Sequence, residues 1–224
     1  MSLLVPNHHP INRDGLVLWL SSRNSGAVAA SGTWTDYSGQ TNNAALNGNA
    51  YVGRSGVYLD GTGDYAVVTH NATISAGATQ SITIGCWMRS NGLSNNNPRI
   101  WSKNPNYYNY KTTGVNSSDF VTYDGTHAGL VSITGLWDSA WHYVVLVIDR
   151  TAQKMYGYRD GNVVDTDADI SDVGDATTTR DLYIGCRPDN QQNAFRGWLD
   201  DVYIMRRAQP AAEIKQYYER TRRA

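Results

Sequence analysis

Glutamate is almost missing from this chain. Of its 20 acidic residues only Glu213 and Glu219 are glutamates, which leaves 18 aspartates across 224 residues. Cleaving a glycosidic bond usually takes two carboxyl groups, one protonated as the acid and one ionised as nucleophile or base. Aspartate can fill both roles, so the scarcity removes the commonest form of that chemistry without excluding it. Basic excess is missing too: 19 Lys and Arg give a formal charge of −1, against the basic face that phosphate neutralisation requires, so no nucleic-acid partner is expected. No run approaches the roughly 18 apolar residues of a membrane span, and no membrane insertion is expected. The opening Met1-Ser-Leu-Leu-Val-Pro6 lacks a basic stretch and a signal-length apolar run, so synthesis in a bacterial cytoplasm without a signal peptide is expected. Cysteine is limited to Cys86 and Cys186, in the matching contexts Ile84-Gly85-Cys86 and Ile184-Gly185-Cys186. Both read as buried thiols packed like small hydrophobes, and two cysteines alone fall short of a zinc site.

What is present is β-structure. Tyrosine (15), glycine (21) and tryptophan (7) are plentiful. Gly15-Leu-Val-Leu-Trp-Leu20 is apolar on both faces and reads as a buried strand. Val57–Asp60 and Tyr65–Val68 flank a glycine turn. Ser81-Ile-Thr-Ile-Gly-Cys-Trp-Met88 alternates, with Ile82, Ile84, Cys86 and Met88 on one face and Thr83 and Trp87 on the other. Arg99–Ser102 and Tyr107–Lys111 are weaker strands, and none is assigned between Lys111 and Trp141. Trp141–Ile148 is the strongest β run, and Asp160-Gly161 marks a hairpin between Lys154–Arg159 and Asn162–Asp165. Asp181–Gly185 and Gly197–Ile204 complete the strands. Pro210 followed by Glu213 and a late Arg220 predicts a helix over 210–221, with Ile214, Tyr217 and Tyr218 covering one end of the sandwich.

Taken in order, Gly15–Leu20, Asp36-Tyr-Ser-Gly39, Leu59-Asp-Gly-Thr-Gly-Asp-Tyr65, Ile82–Trp87, Trp141–Val145, Tyr158-Arg-Asp-Gly161, Leu182–Gly185 and Phe195-Arg-Gly-Trp-Leu-Asp-Asp-Val-Tyr-Ile204 resemble the laminin-G-like, concanavalin A-like lectin/glucanase jelly rolls. The resemblance implies an all-β fold, a two-sheet antiparallel jelly-roll sandwich with a short C-terminal helix. The division expected is an N-terminal arm over 1–13, a laminin-G-like jelly roll over 14–209 and a packed helix over 210–224. This fold carries lectins, glycan-binding modules, adhesion domains, hydrolases, lyases and virus-particle proteins, so function must be argued from the site.

Sugars stack on exposed rings beside amides. The best such constellation is Trp101, Tyr107, Tyr108 and Tyr110, with Asn104, Asn106 and Asn109 interleaved; Trp34 and Trp137 are placed on loops. Members of this fold often hold a structural calcium, which needs six to eight oxygens; the resemblance points to Asp36 and Asn42, with Asp201 approaching from the last strand. Asp165-x-Asp167-x-Asp169 and Asp200-Asp201 are the nearest patterns to a carboxylate pair, and His142 with Tyr143 to a lyase base. These read as loop, scaffold and strand residues, and no catalytic residue is assigned. The basic end, including Arg206, Arg207 and Arg223, reads as solvated or as docking an acidic neighbour.

The expected function is that of a non-catalytic surface module: a bacteriophage or virus accessory protein of the head or tail, structural or adhesive toward host glycans. Its expected partners are virion structural proteins, further copies of itself and cell-surface glycans, and its expected place is the virion surface. The alternative is an extracellular carbohydrate-binding module, and the third reading an Asp-based hydrolase or lyase.

Overall fold

The computed structural model describes residues 11–22, 32–91, 97–112, 115–167, 169–189 and 193–223; most of the expected arm lies outside these. In chain order the elements are β1 (Leu16–Leu20), β2 (Thr33–Trp34), β3 (Ala44–Asn47), β4 (Tyr51–Gly53), β5 (Gly56–Asp60), β6 (Tyr65–Val68), a 3-10 turn (Ala72–Ile74), β7 (Ile82–Ser90), β8 (Trp101–Lys103), β9 (Tyr107–Lys111), β10 (Ser117–Tyr123), β11 (Ala128–Thr134), β12 (Trp141–Asp149), β13 (Lys154–Arg159), β14 (Asn162–Asp167), β15 (Leu182–Ile184), β16 (Arg196–Met205) and α1 (Ala211–Thr221). The first sheet runs β14-β13-β12-β7-β16-β5-β4, with β1 also on β16; the second runs β11-β10-β9-β8-β15-β6-β3-β2. The pairs are antiparallel, as the jelly-roll expectation requires.

The alternation read in β7 holds. Ile82, Ile84, Cys86 and Met88 enter the core between the sheets, facing Trp101, Phe120, Ile133 and Ile184 from the second sheet. Burying each such side chain contributes about 1.5–3 kcal/mol. Cys86 and Cys186 are both free and buried. Burial pushes the Cys186 thiol up to about 12, which leaves it protonated and inert.

The other face of β7 is not solvated. Trp19, Trp87, Tyr143, Val145 and Tyr203 form a second apolar layer on the outside of the first sheet, and Ile214 and Tyr217 of α1 pack onto it. The helix therefore covers a sheet face, where the sequence pattern suggested one end of the sandwich. The helix is pinned by a polar contact, in which Trp87 Nε1 donates to Thr221 Oγ1 at 3.0 Å; beneath it the Tyr143 and Tyr203 hydroxyls of β12 and β16 meet at 2.6 Å. Gly85 is required beneath it, since a Cβ there would lie 2.6 Å from the Tyr203 ring.

Where β14 and β11, one edge of each sheet, approach, aspartates lace them. Asp165 Oδ2 accepts the Ser132 N–H at 2.7 Å and Asp167 Oδ2 the Leu130 N–H at 2.9 Å. Carboxylates two apart on one strand thus meet backbone donors two apart on the other, and part of a bare strand edge is blunted.

Strand β16 is the spine. It pairs with β7 along one side, while the other side is shared by β5, from Arg196 to Leu199, and β1, from Val202 to Met205. At the changeover the register slips between Asp200 and Tyr203, and Asp201 takes the left-handed φ of 48° that Asp tolerates better than most residues. The bulge turns both carboxylates into the interior, fully buried. Asp200 accepts the Ser22 N–H and hydroxyl, each at 2.8 Å, and Asp201 accepts the Trp19 indole at 3.4 Å. Arg223 reaches both, at 2.5 and 3.4 Å, sandwiched against the Trp87 and Trp141 rings.

Burial and the neighbouring Asp201 raise the Asp200 pKa, and Arg223 opposes them. The folded state therefore holds this proton more tightly than the unfolded chain, and the resulting stability is present in acid and lost as pH rises. Arg223→Met is expected to cost roughly 3 kcal/mol at neutral pH, the low end for breaking a buried pair, and less as pH is lowered and Asp200 takes up its proton. Urea unfolding at neutral and at lower pH measures both.

Candidate functional site

The second sheet's outer face has no helix over it among the described residues. The residues expected to form a sugar platform divide between its two sides. Along β9, Tyr107, Asn109 and Lys111 point inward, and Tyr108 and Tyr110 outward. Tyr107 is fully buried and donates to the Ile74 carbonyl at 2.8 Å. Asn109 Oδ1 accepts the N–H groups of Ile100 and Trp101 at 2.8 and 3.1 Å, and Trp101 packs inward with its ring centroid 5.3 Å from that of Phe120. These three residues stabilise the core and offer no ring or amide to a ligand. Asn106 is likewise spent on both backbone groups of Ala76. Trp34 and Trp137, expected on loops, are buried, Trp34 within β2.

Tyr108 and Tyr110 join residues that the sequence reading did not select. Ala45, Val67, Tyr183, Ser102, Tyr108, Val121 and Leu130 are successive register partners across seven strands, from β3 through β6, β15, β8, β9 and β10 to β11. They make one row on the outer side of the sheet, in which Ser102 and Val121 are buried and the other five are partly or fully exposed. Tyr65 stands beside Tyr183 at 5.8 Å between centroids. Tyr110 stands beside Tyr108 at 6.5 Å, and the Arg99 guanidinium lies 5.0 and 5.3 Å from those two rings. Arg99 is itself fixed by donating to the Asn109 main-chain carbonyl at 2.5 Å, so the backbone of β9 holds the cation against the half-buried rings. Burial pushes the Tyr108 and Tyr183 phenols up, and both therefore present neutral hydroxyls. With strands about 4.8 Å apart, Tyr183 and Tyr108 stand roughly 10 Å from each other, the scale of two linked pyranose rings. Alternation around Leu182 and Ile184 was the signal that places Tyr183 outward.

The expected calcium ligands are already committed to hydrogen bonds. Asp36 Oδ1 accepts the Trp19 and Ser38 N–H groups, and Oδ2 accepts the Ser38 hydroxyl and the Asn42 N–H, all within 2.8–2.9 Å. Asn42 donates to the Val17 carbonyl at 2.8 Å and accepts from Asn71. Asp201 faces Trp19 and Arg223. This donor-rich surrounding does not fit a cation, and among the described residues no group of three or more His, Cys, Asp or Glu is placed to hold a metal.

His142 lies between two carboxylates, with Nδ1 2.8 Å from Asp160 and Nε2 2.9 Å from Asp138. Burial lowers its pKa, but the hydrogen bonds that its ring N–H groups donate to the Asp160 and Asp138 carboxylates outweigh that and leave it raised. Both ring nitrogens are spent on structural partners, so the residue ties the Asp160 turn to the loop before β12. Of the basic end, Arg206 and Arg207 hydrogen-bond back to the sandwich, as Arg223 does.

No curated protein is similar in sequence at a significant level. Among solved structures, the receptor-binding domain of botulinum neurotoxin C/D mosaic serotype superposes with a TM-score of 0.74 at 18% identity, covering 94% of this chain and 52% of that one. The binding domain of Paraclostridial Mosquitocidal Protein 1 gives 0.73 at 16% identity, covering 92% and 52%. The chain thus spans about half the length of these structures, and the likeness shows a shared fold. A laminin-G-type family model described as the concanavalin A-like lectin/glucanases superfamily matches residues 60–215, and the chain belongs to that superfamily.

Proposed function

We propose that this protein is a non-catalytic glycan-binding module whose ligand lies along the row from Tyr183 to Tyr108. The observation that carries the reading is the difference between the two outer faces: α1 seals one with an apolar layer, and the other presents paired tyrosines braced by Arg99. Flat rings meet the C–H face of a pyranose and the phenol hydroxyls meet its polar groups, with Arg99 buried behind the Tyr108 and Tyr110 rings. Two solved neighbours support a binding role by analogy of fold, one in complex with synaptotagmin II and one with SialylT. The setting we propose is a virion surface, with adhesion to host glycans; it rests on the sequence reading alone. A defined oligomer by light scattering supports that setting, and a monomer favours the extracellular module.

On a glycan array, binding is expected to be indifferent to calcium chelation. Tyr183→Ala and Tyr108→Ala are each expected to weaken the strongest signal about tenfold, or ~1.4 kcal/mol. Full binding by the double variant sinks the assignment of the face.

Treating His142 as structural has a separate consequence. Its raised pKa means that its contribution to stability is complete below the unfolded value of 6.5 and is lost as pH rises through the folded value. Stability is expected to fall over that window, and His142→Gln to flatten the fall. An unchanged slope in the variant rules the assignment out.

A further inference from the structure

A second feature lies at the rim, where β6 ends and β15 begins. A cleft of about 610 Å³ opens there, lined by His70, Ser75, Thr177, Thr178, Thr179 and Arg206 among others. Its size falls within the roughly 300–1,000 Å³ of small-molecule sites. Its lining residues include an arginine, a histidine and four hydroxyl side chains, and no carboxylate.

Both nitrogenous groups are held in place. Arg206 donates to the Ala72 carbonyl at 3.0 Å and to Gln80 Oε1 at 3.2 Å, which uses part of its five-donor fork. Behind His70 lies Lys103, fully buried, with Nζ 3.1 Å from His70 Nδ1 and 2.5 Å from the Arg180 carbonyl. An ammonium has only donors, so Nδ1 accepts and the ring proton sits on Nε2, which makes His70 a donor. Burial lowers the Lys103 pKa to about 8, and the group still carries its charge at neutral pH. The nearby Asp181 carboxylate accepts the His70 backbone N–H at 2.7 Å.

We propose that this cleft is an anion subsite that takes the carboxylate of an acidic sugar, a uronic acid. A guanidinium held by two hydrogen bonds suits a carboxylate, and the serine and threonine hydroxyls suit the sugar's own. The assignment of a sugar rests on the glycan reading of the open face, because β6 and β15 also carry Val67 and Tyr183. His70 lies three residues beyond Val67, about 10 Å along the chain at ~3.3 Å per residue. A saccharide on the row thus reaches the rim with its acidic end.

The test compares glucuronic acid with glucose, which differ in the carboxylate, by NMR titration of the labelled protein, with inorganic sulfate as a third probe. Glucuronate is expected to shift the amides of Gly77 and Thr177–Thr179 and to bind at least tenfold tighter than glucose. Arg206→Gln is expected to abolish that preference. Thr179→Glu, at an exposed position, is expected to do the same and guards against a folding defect in the arginine variant. Equal binding of glucuronate and glucose overturns the proposal. So do shifts that map elsewhere, a preference that survives both variants, or sulfate binding as tightly as glucuronate. Tyr183→Ala separates the two readings: it is expected to leave the glucuronate preference intact, whereas a failure of the open-face reading shows as undiminished binding of a longer glycan by that variant.

Discussion

The buried pairing of Asp200 and Asp201 with Arg223 is the constraint around which the first sheet is organised. Two adjacent carboxylates without solvent are costly unless each lone pair finds a donor. Here the donors come from distant parts of the chain: Ser22 and Trp19 from the β1 region, Arg223 from beyond α1. Satisfying the pair therefore fixes where β1 ends, how β16 passes from β5 to β1, and where the C-terminal segment crosses. The aromatic layer on the outside of the first sheet follows, because Arg223 stacks on Trp87 and Trp141 while α1 lays Tyr217 against Tyr143 and Tyr203.

The same chemistry accounts for the imbalance between the acidic residues. An aspartate carboxylate reaches backbone N–H groups two or three residues ahead, closing a turn on itself. Asp36 does this to Ser38, Asp60 to Thr62, Asp124 to Thr126 and His127, Asp138 to Ala140, Asp149 to Thr151 and Ala152, and Asp175 to Thr177. Glutamate is one carbon too long for that geometry. A sandwich whose many loops must cap their own backbone thus selects aspartate. Glu213 occurs where reach is useful, in the first turn of α1, bridging to Arg207 at 2.6 Å. The composition records loop architecture, and the carboxylates it supplies are occupied by the fold.

Much of the fold was legible because the inner strands alternate strongly. The faces of β7, the hairpin at Asp160-Gly161 and the course of β16 followed from periodicity and turn chemistry. The pair β10 and β11 was not legible, although Asp124-Gly125 sits between them, because Ser117-Ser-Asp and Ala128-Gly open each strand with small or polar residues. The site failed for a different reason. In Tyr107-Tyr-Asn-Tyr-Lys111 both faces of the strand carry tyrosine, so period two cannot say which face is inside. Only the register with Phe120, which pairs with Asn109, settles it. Trp101 misleads similarly: a large ring in a short polar strand resembles a platform until its partners are known.

The two outer faces express one rule in opposite ways. A sheet face in a sandwich must be solvated, covered or used. The first sheet carries Trp19, Trp87, Tyr143, Val145 and Tyr203 outward, too apolar to leave in water, and its cost is removed by α1. The second carries Tyr65, Tyr108, Tyr110 and Tyr183 in the same kind of position, yet these rings stay partly exposed and each ends in a hydroxyl. It is wet enough to stand open and flat enough to stack. The row therefore sits at the boundary between core and surface chemistry, which is where sugar recognition operates, since a pyranose presents one apolar side and a rim of hydroxyls.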